Sequence, residues 1–273
     1  MAEDVEANIV ERRRWNDEYW VSVWPKREEL TNTVTGILLG RLGLREGERV
    51  LDIGSGGGAA SIAAGQLVAD RGSVVGADIS APLVELARRR AAARHAAGVS
   101  FLVADMQHAT IPGAPFDAAM SQFGVMFFDE PATAFANIRR HLVPGGRLCF
   151  ACWQSIEMNP WFTGPALAGY VPSPPAPAPG KSPAGPFSLS DPGRVIDILA
   201  SAGWKGVERT PCDLVVHVDR DALVDDKHLT FLGVSESSLA QARQSVDEHL
   251  EPLTGSDGRI RAPLSIHLFT ATA

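Results

Sequence analysis

Three carboxylates and a run of glycines carry the chemistry that this sequence can do. Asp52-Ile53-Gly54-Ser55-Gly56-Gly57-Gly58 follows a short apolar run, ERVLDIG (48–54), and precedes the Ala-rich stretch SIAAGQLVA (61–69). Glycines there permit a tight turn with positive φ, close backbone approach to a ligand and close helix packing. The helix beyond offers free N–H groups. Asp78 ends the next apolar run, SVVGADI (73–79), with Ile79 beside it. An acid in that place accepts two ribose hydroxyls. Asp105, in Ala104-Asp105-Met106 after a third run, is placed to accept from an adenine amino group while Met106 packs on the ring.

A second reading of the same loop stays open. Gly54-x-Gly56-x-x-Ala59 fits the dinucleotide fingerprint, with a pyrophosphate on the helix N-terminus. Two features count against a nicotinamide enzyme. Asp52 would set a carboxylate beside the phosphates, whereas it suits a ligand with a cationic amino end. Asp105 has no part to play with NAD.

Other residues have types that suit chemistry. Tyr19, Trp20 and Trp24 form an aromatic cluster behind Arg12-Arg13-Arg14-Trp15. It reads either as an amphipathic helix packing its rings on the core, or as a helix closing over the ligand with Tyr19 or Trp20 as a shield; aromatic faces suit a cation. Asn159-Pro160-Trp161-Phe162 either lines an acceptor pocket or anchors its loop. His228 is the candidate general base and His108 the second choice, both able to titrate near neutral pH; a surface histidine is the competing reading of each. Cys149-x-x-Cys152 lies inside a strand, where positions three apart face opposite sides, and no histidine spacing suits a metal, so none is expected.

Strand-like and helix-like segments alternate from residue 35, the pattern of an α/β fold. SAPLVELARRRAAARHAAG (80–98) has a capping Ser80 and Pro82 in its first turn. VSFLVADM (99–106) and FDAAMSQF (116–123) are strands three and four. A helix from Asp129 and Pro131 stops at Pro-Gly-Gly (144–146), and GRLCFACW (146–153) is strand five. The rhythm then breaks at 154–190, with seven prolines between 171 and 187, a stretch that can neither pair in a ladder nor continue a helix. A capped helix (190–204), a strand (207–218), a helical stretch (219–254) with Leu229, Leu232, Leu239 and Val246 as core positions, and a last strand (260–273) follow. The three departures from alternation, residues 1–34, 154–190 and 219–254, are expected to cap the carboxyl edge of the sheet around a core at 35–153, where ligands bind in open α/β folds.

The glycine loop, Asp78, Asp105-Met106, FDAAMSQF and LVPGGRLCF in this order resemble the class I S-adenosylmethionine-dependent methyltransferases, most of all the small-molecule branch with the ubiquinone/menaquinone-type enzymes. The resemblance implies a doubly wound seven-stranded, mostly parallel sheet of order 3-2-1-4-5-7-6, and S-adenosylmethionine as cofactor with S-adenosylhomocysteine as product. It implies that Asp52, Gly54, Ser55, Gly56 and Gly58 hold the methionine end and Asp78 the ribose. Asp105 and Met106 would hold the adenine, with Ser121 and Gln122 beside the methionine end. The family commonly joins its last two strands by a short hairpin; here 219–254 intervenes. The acceptor is then a small molecule, methylated on O, N or C. An NAD-linked oxidoreductase and a non-catalytic cofactor-binding domain are the alternatives.

The chain has 273 residues with 25 Lys+Arg against 32 Asp+Glu, a formal net charge of −7, which argues against a nucleic-acid or anionic-membrane footprint. No apolar run reaches 18 residues, and the first fifteen residues have no apolar signal core. Three cysteines fit a reducing cytoplasm. A cytoplasmic monomer or homodimer is expected.

Overall fold

The structure, a computed structural model, describes residues 8–69, 71–172 and 184–273. Two helices open it, α1 (Ile9–Trp15) and α2 (Glu18–Leu42). Then β1 (Arg49–Ile53), α3 (Ala59–Val68), β2 (Ser73–Asp78), α4 (Ala81–Ala93), β3 (Val99–Val103), β4 (Phe116–Gln122), α5 (Pro131–Arg140) and β5 (Leu142–Trp153) follow. Beyond them come α6 (Gly164–Leu167), α7 (Pro192–Ser201), β6 (Lys205–Val218), α8 (Arg220–Leu223), α9 (Asp226–Phe231), α10 (Leu239–Leu250) and β7 (Ile260–Thr272). The sheet order is β3-β2-β1-β4-β5-β7-β6. Strands β1 to β5 are parallel, and β7 runs antiparallel to both β5 and β6. This is the order that the resemblance implied.

Local chemistry sets the element ends. The Ser80 hydroxyl accepts from the Leu83 N–H and starts α4, with Pro82 in its first turn. Asp191 does the same for α7 by accepting from Gly193 and Arg194. Strands covered by helices on both faces read as continuous apolar runs, and Phe116, Phe135, Phe150 and Phe269 are all fully buried. Phe150 lies 5.2 Å from Phe135 on α5 and 5.3 Å from Phe269 on β7, so the aromatic core ties the parallel and antiparallel parts of the sheet together.

Several elements differ from the expectation. Helix α5 stops at Arg140, and β5 begins at Leu142 rather than 146. Leu142 pairs with Phe116, the register then shifts, and Ala118 pairs with Arg147, so Pro-Gly-Gly is taken into the strand as an irregularity. Helix α2 runs unbroken past residue 34 to Leu42 with Pro25 inside it, because Leu30, Val34, Leu38, Leu39 and Leu42 are buried in the core. Within 219–254, Leu229 and Val246 are buried, but Leu232 and Leu239 only half-buried.

The proline-rich run at 173–183 lies outside the described residues. Its flank reaches the carboxyl edge: the Gly185 N–H and the Ser188 hydroxyl both donate to the Met126 carbonyl, just beyond β4. The 219–254 stretch meets α2 through α9. Among the described residues no helix is long and apolar enough to cross a membrane, and no three metal-binding side chains gather. Cys149 and Cys152 are both buried without a disulfide.

Candidate active site

The turn after β1 is held by backbone hydrogen bonds and by a close approach that needs a glycine. Gly54 and Ser55 both donate their N–H to the Ala77 carbonyl, at 2.8 and 3.2 Å, which folds the loop onto β2. Gly54 has φ 69°, and a Cβ there would lie 2.6 Å from the Cα of Gly124, in the turn after β4. Gly58, also left-handed, precedes α3.

Around this loop stand the acids. Asp52 is buried and accepts the Ser61 hydroxyl at 2.5 Å. Burial pushes its pKa up to about 7, against the pull of the Ser61 hydrogen bond and with the Asp78 charge adding to the rise. Asp78 accepts from Gly56 N at 2.7 Å and Ser80 N at 2.8 Å. Burial raises its pKa, and the backbone N–H bonds oppose that rise. Half-buried Ile79 follows it. At the end of β3 the Asp105 carboxylate accepts from Gln107 N, and Met106 is buried behind it. The Ser55 hydroxyl, inside the glycine loop, is buried and has no hydrogen-bond partner among the described residues.

Above the loop lies an aromatic wall. The Tyr19 hydroxyl is 2.7 Å from His228 Nδ1, so α2 and α9 meet there. Tyr19 stacks on Phe231 at 4.6 Å, and Trp20 meets the same ring edge-on at 5.4 Å. Burial, and then the charge of Arg27, pull the His228 pKa down to about 3, which leaves the imidazole neutral. Burial raises the Tyr19 pKa. Beyond β4, Phe123 holds a left-handed backbone with φ 65°, a costly state for a bulky residue. Its ring stacks on Trp153 at 4.1 Å, and Trp153 meets Trp161 at 5.1 Å.

The structure thus brings Tyr19, Trp20, His228 and the three acids to one edge of the sheet. His108 is exposed, beside Gln107. Ser121 and Gln122 are engaged internally: Ser121 donates to the Ile53 carbonyl, and Gln122 is bonded to Thr35 and to the Thr31 carbonyl. Phe231 escaped the sequence reading, although its place three residues after His228, one helical turn on, puts both on one face. Asn8 escaped it too. It donates to Asp105 across 97 positions of chain, and no local pattern marks such a pairing.

Residues 50–146 match the methyltransferase domain family. That match covers about a third of the chain. Over 104 residues it is 38% identical to aklanonic acid methyltransferase DauC of Streptomyces sp. (strain C5), a match covering 38% of this chain and 47% of that one. Over 107 residues it is 36% identical to the ubiquinone/menaquinone biosynthesis C-methyltransferase UbiE of Cellvibrio japonicus, covering 39% of this chain and 43% of that one. The chain therefore spans less than half the length of these curated relatives. A crystal structure of a SAM-dependent methyltransferase from Aquifex aeolicus superposes with TM-score 0.53 and 17% identity, over 96% of this chain and 97% of that one. That likeness is one of fold. The matched segment begins in β1 and ends within β5, so it contains the glycine loop and all three acids.

Proposed function

We propose that the protein transfers the methyl group of S-adenosylmethionine to a small, planar acceptor and releases S-adenosylhomocysteine. The observation that carries this reading is the set of Asp52, Asp78 and Asp105 at the ends of adjacent strands around a left-handed glycine loop. The orphaned Ser55 hydroxyl is what a polar ligand on that loop would satisfy, so the residues fit the cofactor. Asp78 would take the ribose hydroxyls, with Ile79 beside them, and Asp105 and Met106 the adenine. Asp52, with Gly54, Ser55, Gly56 and Gly58, would hold the methionine end.

When bound, the cofactor supplies a methyl group on a positively charged sulfur. This chain's own residues position it and exclude water. Buried Asp52 meets the positive end of the ligand, and Tyr19, Trp20 and Phe231 close the aromatic side, where ring faces favour a cation. Half-buried Phe123, stacked on the buried Trp153, is the ring a planar acceptor would lie on. The relatives named above point the same way: one is named for aklanonic acid, the other for quinones. The Tyr19 hydroxyl, held by His228 Nδ1 and by Arg27, can orient an acceptor through a hydrogen bond without taking its proton. Positioning supplies most of the rate, since a well-oriented pair of reactants gains about 7–11 kcal/mol. The reaction is placed in the cytoplasm, in keeping with the free cysteines.

The first test is isothermal calorimetry with S-adenosylmethionine, S-adenosylhomocysteine and NADH. The two sulfur compounds bind and NADH does not; tight NADH binding would remove this reading. A second test is the pH profile of kcat between 5 and 8, once an acceptor is in hand. His228 is neutral throughout that window because its pKa is pulled down to about 3, so no acid limb appears near 6.5. His228→Ala costs less than the ~10²–10⁴ in rate of a lost positioned base. A limb near 6.5 that His228→Ala abolishes would make the histidine a titrating base.

A further inference from the structure

Asn8 sits where the proposed ligand should sit. Its side-chain N–H2 donates to both oxygens of Asp105, at 2.9 and 3.0 Å, and to Gln107 Oε1 at 3.3 Å. Its side-chain oxygen accepts from Asp129 N at 2.8 Å, and its own N–H donates to the Asp129 carboxylate at 2.9 Å. Only 2% of the residue is exposed. A carboxamide offers an amino donor beside an acceptor, the same pair that the amino edge of adenine offers. Arg12, one turn on, lies 3.6 Å from Asp105.

The other end of the cleft is covered as well. A Cβ on Gly56 or Gly57 would collide with the Trp24 indole, so the ring lies directly on the glycine loop. Between these two ends Tyr19 and Trp20 hold to α9 through His228 and Phe231, while α1 and the turn after it are fastened by few bonds. The Ser80 hydroxyl donates to the Trp15 carbonyl at 2.6 Å, Ala81 N donates to Asn16 Oδ1 at 3.0 Å, and Trp15 meets Phe127 edge-on at 5.1 Å. Pro25 follows at once. A proline inside a helix removes one hydrogen bond of the ladder, which loosens the turn that carries Trp24. The residues that anchor α2 in the core begin, Val23 apart, at Leu30.

We infer that α1 with Asn8, together with the Trp24 ring, is an intramolecular occupant of the cofactor cleft, with Asn8 in the adenine end and Trp24 on the glycine loop. Cofactor binding displaces this strap: α1 swings out at the break before α2 and the Trp24 ring turns off the loop, while Tyr19 and Trp20 stay against α9. The inference rests on the S-adenosylmethionine reading, and it adds a competition that the reading does not require. The apparent affinity of the protein is its intrinsic affinity reduced by the fraction of molecules whose cleft is open.

The experiment uses the full chain and S-adenosylhomocysteine. Asn8→Ala removes the competing carboxamide, and with about one molecule in ten open in the wild type, affinity by calorimetry rises about tenfold. Asn8→Asp sets a carboxylate against Asp105 and Asp129 and raises affinity at least as far. Thermal melts of both variants confirm that they are folded. Limited trypsin digestion reads the strap itself: cleavage at Arg12, Arg13 and Arg14 speeds up when S-adenosylhomocysteine is added to the wild type. Equal or weaker binding by folded Asn8→Ala, or protection of those arginines by the ligand, overturns the inference. If neither wild type nor variant binds the ligand, the cofactor reading itself fails; if both bind alike, only the strap inference does.

Discussion

Asp78→Ala lowers the affinity for S-adenosylmethionine by about 10- to 150-fold, the equivalent of about 1.5–3 kcal/mol for hydrogen bonds to a charged group. The carboxylate ends β2 with each oxygen already accepting one backbone N–H, from Gly56 and from Ser80. Those bonds fix both oxygens, and their remaining lone pairs are free for two ribose hydroxyls. The same substitution strands two N–H groups in a buried turn, at about 1–3 kcal/mol each. Asp78→Asn keeps one acceptor and separates the effects: the fold recovers most of its melting temperature while affinity stays low. Calorimetry and thermal melts on both variants make the check. Unchanged affinity in Asp78→Ala would remove the ribose assignment.

The second large effect is a pH dependence built into Asp52. Its pKa is raised from 3.8 to about 7, so the folded protein holds a proton that the unfolded chain releases near pH 4. A group raised in this way contributes stability below its unfolded pKa, and that contribution is lost as pH climbs from about 4 through 7. A shift of about three units corresponds to about 4 kcal/mol. Asp52→Asn, neutral at every pH, is therefore expected to match the wild type near pH 4 and to exceed it by a few kcal/mol at pH 8. Urea unfolding of both proteins across that range gives the answer; parallel curves would show that Asp52 is ionised at little cost. A ligand with a cationic end reverses the sign, because it stabilises the charged carboxylate. S-adenosylhomocysteine should then raise the melting point of the wild type more at pH 8 than it does for Asp52→Asn.

Much of this architecture is local and could be read without coordinates. Apolar runs ending in Asp52, Asp78 and Asp105 mark three strands whose carboxyl ends must lie together in a parallel sheet, and Ser80 announces α4 by its side-chain cap. What was hidden is long-range. Residues 1–34 read as a cap separate from the core, yet burial of the residues from Leu30 to Leu42 carries α2 through that expected edge. Pro-Gly-Gly at 144–146 reads as a stop, yet β4 recruits Leu142 ahead of it. The roles of Asn8, Trp24 and Phe231 depend on partners far along the chain, so neither periodicity nor spacing exposes them. Ser121 and Gln122, whose types suit a ligand, also make long-range bonds to β1 and α2 that the sequence does not announce.

The place of β7 bears on how the molecule is assembled. It is the last of the seven strands to be synthesised, yet it lies between β5 and β6, joining Arg147 to Thr272 on one side and Val218 to Ile260 on the other. Until it arrives, β5 has an open edge and β6 has no neighbour. Such distant pairings slow folding and leave strand edges available for wrong partners. Direct pairing of β6 with β5 is the obvious trap. β6 carries Lys205, Glu208, Arg209 and Asp213 together with Pro211, features that make a free strand edge a poor template for another chain. The sheet can thus be completed only from the carboxyl end, and the strand that waits for that event is the one whose composition best tolerates the delay.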